Sequence, residues 1–276
     1  MSGLERFAAL VRTDEFDLAE ACLLVAQDVY PDLAIAAYIG DLDAIAAAIR
    51  GRLPDDAFAE QKLQALNHHL FGEMRFRGNV EEYYDPRNSY LNQVLERRTG
   101  IPLTLSIVYM EVGRRLGLNI EGVSFPGHFL VKVAVKRGEL VLDPFLGGES
   151  QSERQLRERL ASVLPAGEAA KAGIETFLQP ASRRQIVVRM LRNLKNLYRQ
   201  AGRLEQALAV MQRMLVLMPQ SAEELRDRGL LYQQLECFRP ALSDLRSYLQ
   251  RRPQARDAAE VHAQVVLLEH ACSRLN

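Results

Sequence analysis

Few residues of this chain combine a type and a spacing suited to chemistry. His128 and Asp143 flank neighbouring predicted strands and differ by an odd number. That is the parity of facing partners in a hairpin whose loop holds an even number of residues. An imidazole held by a carboxylate is a general base, or a structural clamp when there is nothing to activate. Pairing the two directly sets Lys132 opposite Glu139. A tight turn at Arg137-Gly138 instead sets Lys132 opposite Asp143 and separates the pair. Both registers fit the sequence. Thr104 and Ser106, near a predicted helix start, are the candidate nucleophiles, although a hydroxyl there is far more often a cap or a satisfied core group. Cys22, Cys237 and Cys272 are odd in number, far apart and in no CxxC pair. They exclude a disulfide framework or a cysteine zinc site and point to a reducing cytoplasm. His68 and His69 are adjacent, so on a helix they face different directions, and His262 and His270 are eight apart without supporting ligands. No metal and no cofactor is expected.

The elements that position these residues follow from periodicity. Asp17 to Gln27, Asp41 to Arg50 and Ala57 to Arg75 carry apolar residues at helical spacing, broken by Pro31, Pro54 and Gly78, with Asp17 and Asp41 as N-caps. The polar stretch Glu81 to Ser89 is a loop, and Asn88 or Ser89 caps a helix over Tyr90 to Arg98. Pro102 stands near the start of the next helix, where its missing N–H costs nothing. Leu105, Val108, Tyr109, Val112 and Leu116 form one apolar stripe of that helix, which ends at Gly117 after Arg114-Arg115. The period then shortens: Glu121 to Phe125, Phe129 to Val135 and Glu139 to Leu142 read as strands, the last two a hairpin. A helix around Glu153 to Leu164 and a small-residue stretch, Ala166 to Gly173, lead to Pro180.

The tail repeats itself. Tyr198 recurs as Tyr232, Ala207-Leu208 as Ala241-Leu242, Leu215 as Leu249 and Pro219 as Pro253, all at a spacing of 34. That is the tetratricopeptide period, in which the small Ala lets paired helices approach and the Pro ends the second helix. Gly229 takes the expected glycine place in the second copy, whereas the first copy has Lys195. Two repeats are few, so a last helix, Asp257 to Leu275, is expected to cap the stack.

Composition sets the frame. The chain has 276 residues, 48% apolar and 25% charged, with 35 basic and 35 acidic side chains. This is ordinary globular composition, and at roughly 100–200 residues per domain it suggests two domains. The first residues, Met1 to Arg6, lack the cationic stretch followed by an apolar one that marks a secretory signal, and no apolar run is long enough to span a membrane. The charge is asymmetric: −7 through residue 181 and +7 from Ser182 onward. Opposite halves can attract each other or offer a surface to an acidic partner, although two differently solvated surfaces suffice to explain the asymmetry.

Several strings taken together identify a resemblance. Arg114-Arg115-Leu116-Gly117, a strand beginning at His128 and Leu142-Asp143-Pro144 resemble the transglutaminase-like core. In that superfamily a Cys opens a helix, and a His and an Asp on neighbouring strands complete a triad. The fuller string runs from Tyr84-Asp85-Pro86-Arg87-Asn88-Ser89-Tyr90-Leu91 through Gly100-Ile101-Pro102. It continues with Phe125-Pro126-Gly127-His128-Phe129 and Asp143-Pro144-Phe145. This string is similar to the SirB-type proteins, named as invasion regulators in bacteria, which carry tetratricopeptide-like tails; the same segment occurs in some eukaryotic F-box proteins. The resemblance implies an α+β fold: a mostly helical transglutaminase-like core with a small antiparallel sheet, then an all-α tetratricopeptide-like repeat domain. The expected domains are 1–181 (helical lead 1–80, core 81–150, connecting segment 151–181) and 182–276.

The resemblance also assigns a place to the triad's Cys, and that place is Pro102. The remaining pair, His128 and Asp143, implies a remnant site. Tyr83-Tyr84, Asn88, Pro102, Phe125, Gly127 and His128 are the candidate binding residues of a retained groove for an extended peptide or acyl group. The expected function is a non-catalytic protein-interaction or regulatory adaptor, cytoplasmic, binding protein or peptide through its repeats. The alternative is a hydrolase or acyltransferase using a hydroxyl or a water with His128 as base and Asp143 as orienter. Nucleic-acid binding through Arg183, Arg184, Arg192 and Arg199 is the weakest option, because no aromatic platform is interleaved with them.

Overall fold

The computed structural model describes residues 2–136, 138–165 and 173–274. Its contacts divide the chain into two compact units, Ala9–Met190 and a second that joins Met1–Ala8 to Leu191–Asn276. The division between these units falls inside the helix that begins at Arg183, and the first residues group with the tail.

The first unit opens with α1 (Gly3–Leu10, begun in the other unit), α2 (Leu18–Ala26), α3 (Ile35–Arg50) and α4 (Ala59–Asn67). Asp17 caps α2 as expected, accepting from the Glu20 N–H at 2.8 Å. Asp41 does not cap: α3 starts earlier, with Ala34 as N-cap, and Asp41 lies within it. A π-helical turn, His68–Glu73, continues α4. There Glu73 receives both neighbouring imidazoles, His69 Nδ1 at 2.7 Å and His68 Nε2 at 3.3 Å, and also Arg52. Adjacent histidines of a regular helix diverge; the wider π turn brings both to one carboxylate.

Helix α5 (Leu91–Arg97) and helix α6 (Pro102–Arg115) follow, and the short strands β1 (Arg77–Gly78) and β2 (Thr99–Gly100) pair in parallel beside them. Neither Asn88 nor Ser89 caps α5; Tyr90 precedes it without a side-chain cap, and Asp85 caps the 3₁₀ turn Pro86–Ser89 instead. Every residue of α6 from Pro102 to Gly113 is buried, so the helix is enclosed on all sides rather than along one stripe. It packs against α2, α3, α4, α5 and the sheet. Gly113 permits the closest of these approaches, since a Cβ there would fall 2.3 Å from Ile120.

The sheet is a four-stranded antiparallel meander: β3 (Ile120–Val123), β4 (Leu130–Val135), β5 (Gly138–Asp143) and β6 (Glu149–Ser150). Val131 faces Leu142, Lys132 faces Val141 and Val135 faces Gly138. This register lies midway between the two that the sequence allows and corrects both, because the hairpin closes on Val135 and Gly138. Lys132 still reaches Glu139, diagonally, and Glu121 across β3, each at 3.5 Å. Helix α7 (Glu153–Val163) and the short α8 (Ile174–Phe177) cover one face, where Val123, Phe125, Leu130, Leu156, Leu160 and Ile174 form a core. Most of the small-residue stretch, 166–172, lies outside the described residues.

Helix α9 (Arg183–Gln200) leads into the second unit, which adds α10 (Leu204–Leu217), α11 (Ala222–Gln234), α12 (Phe238–Arg251) and α13 (Ala258–Arg274). These are helix pairs at the predicted spacing. Gly229 lets α11 and α12 touch, because a Cβ there would fall 2.7 Å from Leu245. The departure at Lys195 has its own logic: the buried ammonium bridges forward to Glu224 at 2.6 Å and Asp227 at 2.7 Å. Arg213 is buried with its guanidinium 4.9 Å from the Phe7 ring, tying the N-terminal residues to α10.

Candidate functional site

The site is built on two turns of the first unit. Phe125-Pro126-Gly127 carries the chain from β3 to β4, with the His128 N–H donating to the Phe125 carbonyl at 3.1 Å. Gly127 is left-handed (φ 68°), and a Cβ there would lie 2.9 Å from Val163, so the turn needs glycine. The second turn, Pro144–Leu146, starts at Asp143, which ends β5 and caps the turn by accepting from the Phe145 N–H at 3.1 Å.

These turns bring His128 and Asp143 together. The imidazole Nε2 lies 3.0 Å from Asp143 Oδ1 and 2.9 Å from Oδ2. A carboxylate only accepts, so Nε2 is the donor to Asp143, and in the neutral tautomer that this bond selects Nδ1 is the acceptor. Asp143 is wholly buried, and its Oδ2 also accepts from Arg159 Nη2 at 3.1 Å. His128 keeps 14% of its side chain exposed, and among the described residues nothing hydrogen-bonds its Nδ1. Such an arrangement can act as a positioned base through its open Nδ1 edge.

Arg189 holds the first turn in place. Its guanidinium donates to the Ser124 hydroxyl at 2.6 Å, the Phe125 carbonyl at 3.2 Å and the His128 carbonyl at 2.7 Å, and it lies 5.5 Å from the Phe129 ring centroid. Burial lowers its pKa from the ordinary guanidinium range. The second turn is held by a relay: Tyr109 Oη on α6 donates to Asn67 Oδ1 at 2.8 Å, and Asn67 Nδ2 donates to the Gly148 carbonyl at 3.3 Å.

The helix start beside these turns offers no poised nucleophile. Pro102 occupies the first turn of α6 and is buried. Thr104 is wholly buried and engaged: its hydroxyl donates to the Asn88 carbonyl at 2.7 Å and accepts from the Ile101 N–H at 3.2 Å. Ser106 is also wholly buried, and its hydroxyl has no hydrogen-bond partner among the described residues, so it is not the satisfied core group expected. Neither hydroxyl bonds His128. Cys22 lies inside α2, and burial pushes its thiol pKa far above the usual range.

The candidate binding residues separate into two sets. Asn88 is wholly buried and organises the loop before it, donating to the Glu82 carbonyl at 2.7 Å and accepting from Asn79 at 3.1 Å. Phe125 is a core residue and Pro102 is enclosed, so these three do not line a surface. Tyr83, Tyr84, Gly127 and His128 do reach solvent. Sequence reading missed Phe145, whose ring stands edge-on to His128 (6.0 Å between centroids) and to Tyr83 (6.3 Å) and packs on Gly78. Val80, Leu146 and, at the end of α7 beside Gly127, Val163 are exposed apolar side chains. The only sequence signal for Phe145 was its place two residues after Asp143. Arg159 and Arg189 gave none, since arginines on a helix ordinarily read as surface.

The comparisons with known proteins agree with this architecture. A family model described as transglutaminase-like superfamily matches residues 36–192, and a tetratricopeptide repeat model matches residues 194–265. A UPF0162 protein of Xylella fastidiosa is 41% identical over 262 residues, covering 95% of this chain and 93% of its own length. One from Vibrio cholerae is 30% identical over 259 residues, covering 93% and 94%. F-box only protein 21 of Mus musculus is 47% identical over 72 residues, which are 26% of this chain and 12% of that protein. The chain belongs to the transglutaminase-like superfamily and to the UPF0162 family, with tetratricopeptide repeats following the core.

Proposed function

We propose that the chain is a non-catalytic interaction adaptor of the SirB type, working in the cytoplasm, in which a transglutaminase-like core has kept its base and lost its nucleophile. One observation carries the reading. The His128–Asp143 pair is ordered by Arg159 and Arg189, while the helix start assigned to a thiol by resemblance holds Pro102 and a hydroxyl already spent on the backbone. A base with nothing to activate retains its shape and its rim. Around His128 that rim is aromatic and apolar, with Tyr83, Tyr84 and Leu146 exposed and Phe145 half-buried, which suits an extended peptide or acyl chain. The repeats add a second surface for protein partners.

The open Nδ1 edge is the observation that favours a second reading, in which His128 activates a water for hydrolysis. A fluorophosphonate probe and a panel of peptide and thioester substrates separate the two. The adaptor reading expects no label and no turnover. Labelling of Thr104 or Ser106, or turnover, that vanishes in His128→Ala establishes the enzyme instead.

A further inference from the structure

The repeat spacing defines a face on the first helix of each copy. In the first copy it comprises Leu191, Leu194, Lys195 and Tyr198, and all four are buried. In the second copy the same places hold Leu225, Arg228, Gly229 and Tyr232 on α11, and the last three pack against α12. Gly229 sits against Leu245, and Arg228 forms a two-pronged pair with Asp244 at 2.7 and 2.8 Å. A further step of 34 falls on α13, at Ala259, His262, Ala263 and Val266. All four are exposed, Val266 by 41%, and neighbouring Leu267 by 59%. No described residue covers them.

We infer that this face of α13 is a docking site for an amphipathic helix of a partner chain, which would sit where the second helix of a repeat sits. The inference rests on the reading of the tail as an interaction module and names one surface of it. The two complete copies specify the occupant. It carries a small residue like Ala207 and Ala241, both wholly buried; three residues on, an acidic one to meet His262 as Asp244 meets Arg228; and next to that an apolar one. Ala263 brings a Cβ that Gly229 lacks, so the apolar residue is a pliant methionine like Met211, which takes this place in the first copy, rather than Leu245. A second copy of this chain fits less well, because none of the four face positions is acidic and the acidic residue two turns on, Glu269, is already paired with Arg246 at 2.7 Å.

The test is a titration of the full-length protein into a fluorescein-labelled, helix-stapled peptide with the sequence of Leu204–Leu217 carrying Val210→Asp, read by anisotropy. We expect saturable binding with a Kd below about 1 mM, and a loss of at least about tenfold with Val266→Arg, as with a Val210→Lys peptide. Val266 is exposed, so circular dichroism of Val266→Arg should match the parent. No saturation, or equal binding to Val266→Arg, overturns the site. So does sedimentation showing that the protein alone forms a dimer that Val266→Arg converts to monomer, since a second copy would then be the occupant. If another partner is captured equally by the parent and Val266→Arg, this face is excluded while the adaptor reading stands.

Discussion

His128 and Asp143 meet through both carboxylate oxygens although they do not face each other in the sheet. Asp143 is opposite Glu149 of β6, and His128 precedes the first residue of β4. The contact is made by two turns that converge past the last β4–β5 pair, Val131 with Leu142. Asp143 consequently serves three donors: an imidazole, a guanidinium and a backbone N–H.

Removing the hub should cost more than removing the base. Asp143→Ala leaves those donors without their acceptor and is expected to lower stability by about 2–4 kcal/mol. His128→Ala leaves Arg159 and Phe145 satisfied and should cost about 1 kcal/mol. Urea unfolding of the two variants checks this, and equal losses would contradict the hub.

Placing sulfur at the helix start tests the triad geometry that the resemblance implies. Pro102→Cys puts a thiol at a helix start, where the dipole favours the thiolate and where the resemblance implies a facing imidazole. Alkylation by iodoacetamide is expected to be faster at the introduced thiol than at Cys22, and slower again when Pro102→Cys is combined with His128→Ala. Rates indifferent to His128 would show that the helix start does not face the imidazole.

Cys22 makes a pH-dependent contribution. Burial raises its folded-state thiol pKa above the unfolded value, with Glu111 and Asp17 adding in the same direction. The unfolded chain therefore ionises first. The stabilisation is complete below the ordinary thiol pKa of about 8.5 and declines as the pH rises above it. Comparing the pH dependence of unfolding in the parent and Cys22→Ala from pH 7 to 10 should show the steeper alkaline loss in the parent. Disulfide-exchange reagents should modify exposed Cys237 in the native state and reach Cys22 only on unfolding.

Gly148 is required by both its backbone and its neighbour. It is left-handed (φ 78°), and a Cβ would fall 2.3 Å from Asn67 Oδ1, the atom that accepts from Tyr109. Gly148→Ala should destabilise by about 1–3 kcal/mol. Gly147→Ala has the same handedness but open space and should cost less, so thermal unfolding of the pair separates backbone strain from collision.

The sequence by itself determined much of this protein. Apolar spacing placed α2, α6, the strands and the paired tail helices, because burial of one face imposes its period locally. The 34-residue recurrence fixed the repeats, and the His128 and Asp143 motifs named the pair that the structure joins. Tertiary structure alone decided the rest. Hairpin register depends on where the turn closes, and here it closed between the two possibilities that pattern allowed. Whether Asn88 and Phe125 line a groove or fill the interior depends on which elements cover them, and Arg159 and Arg189 became organisers of the site only because distant turns present a carboxylate and carbonyls to them. Local chemistry writes periods and caps into the chain, whereas burial and long-range contact exist only once the elements pack.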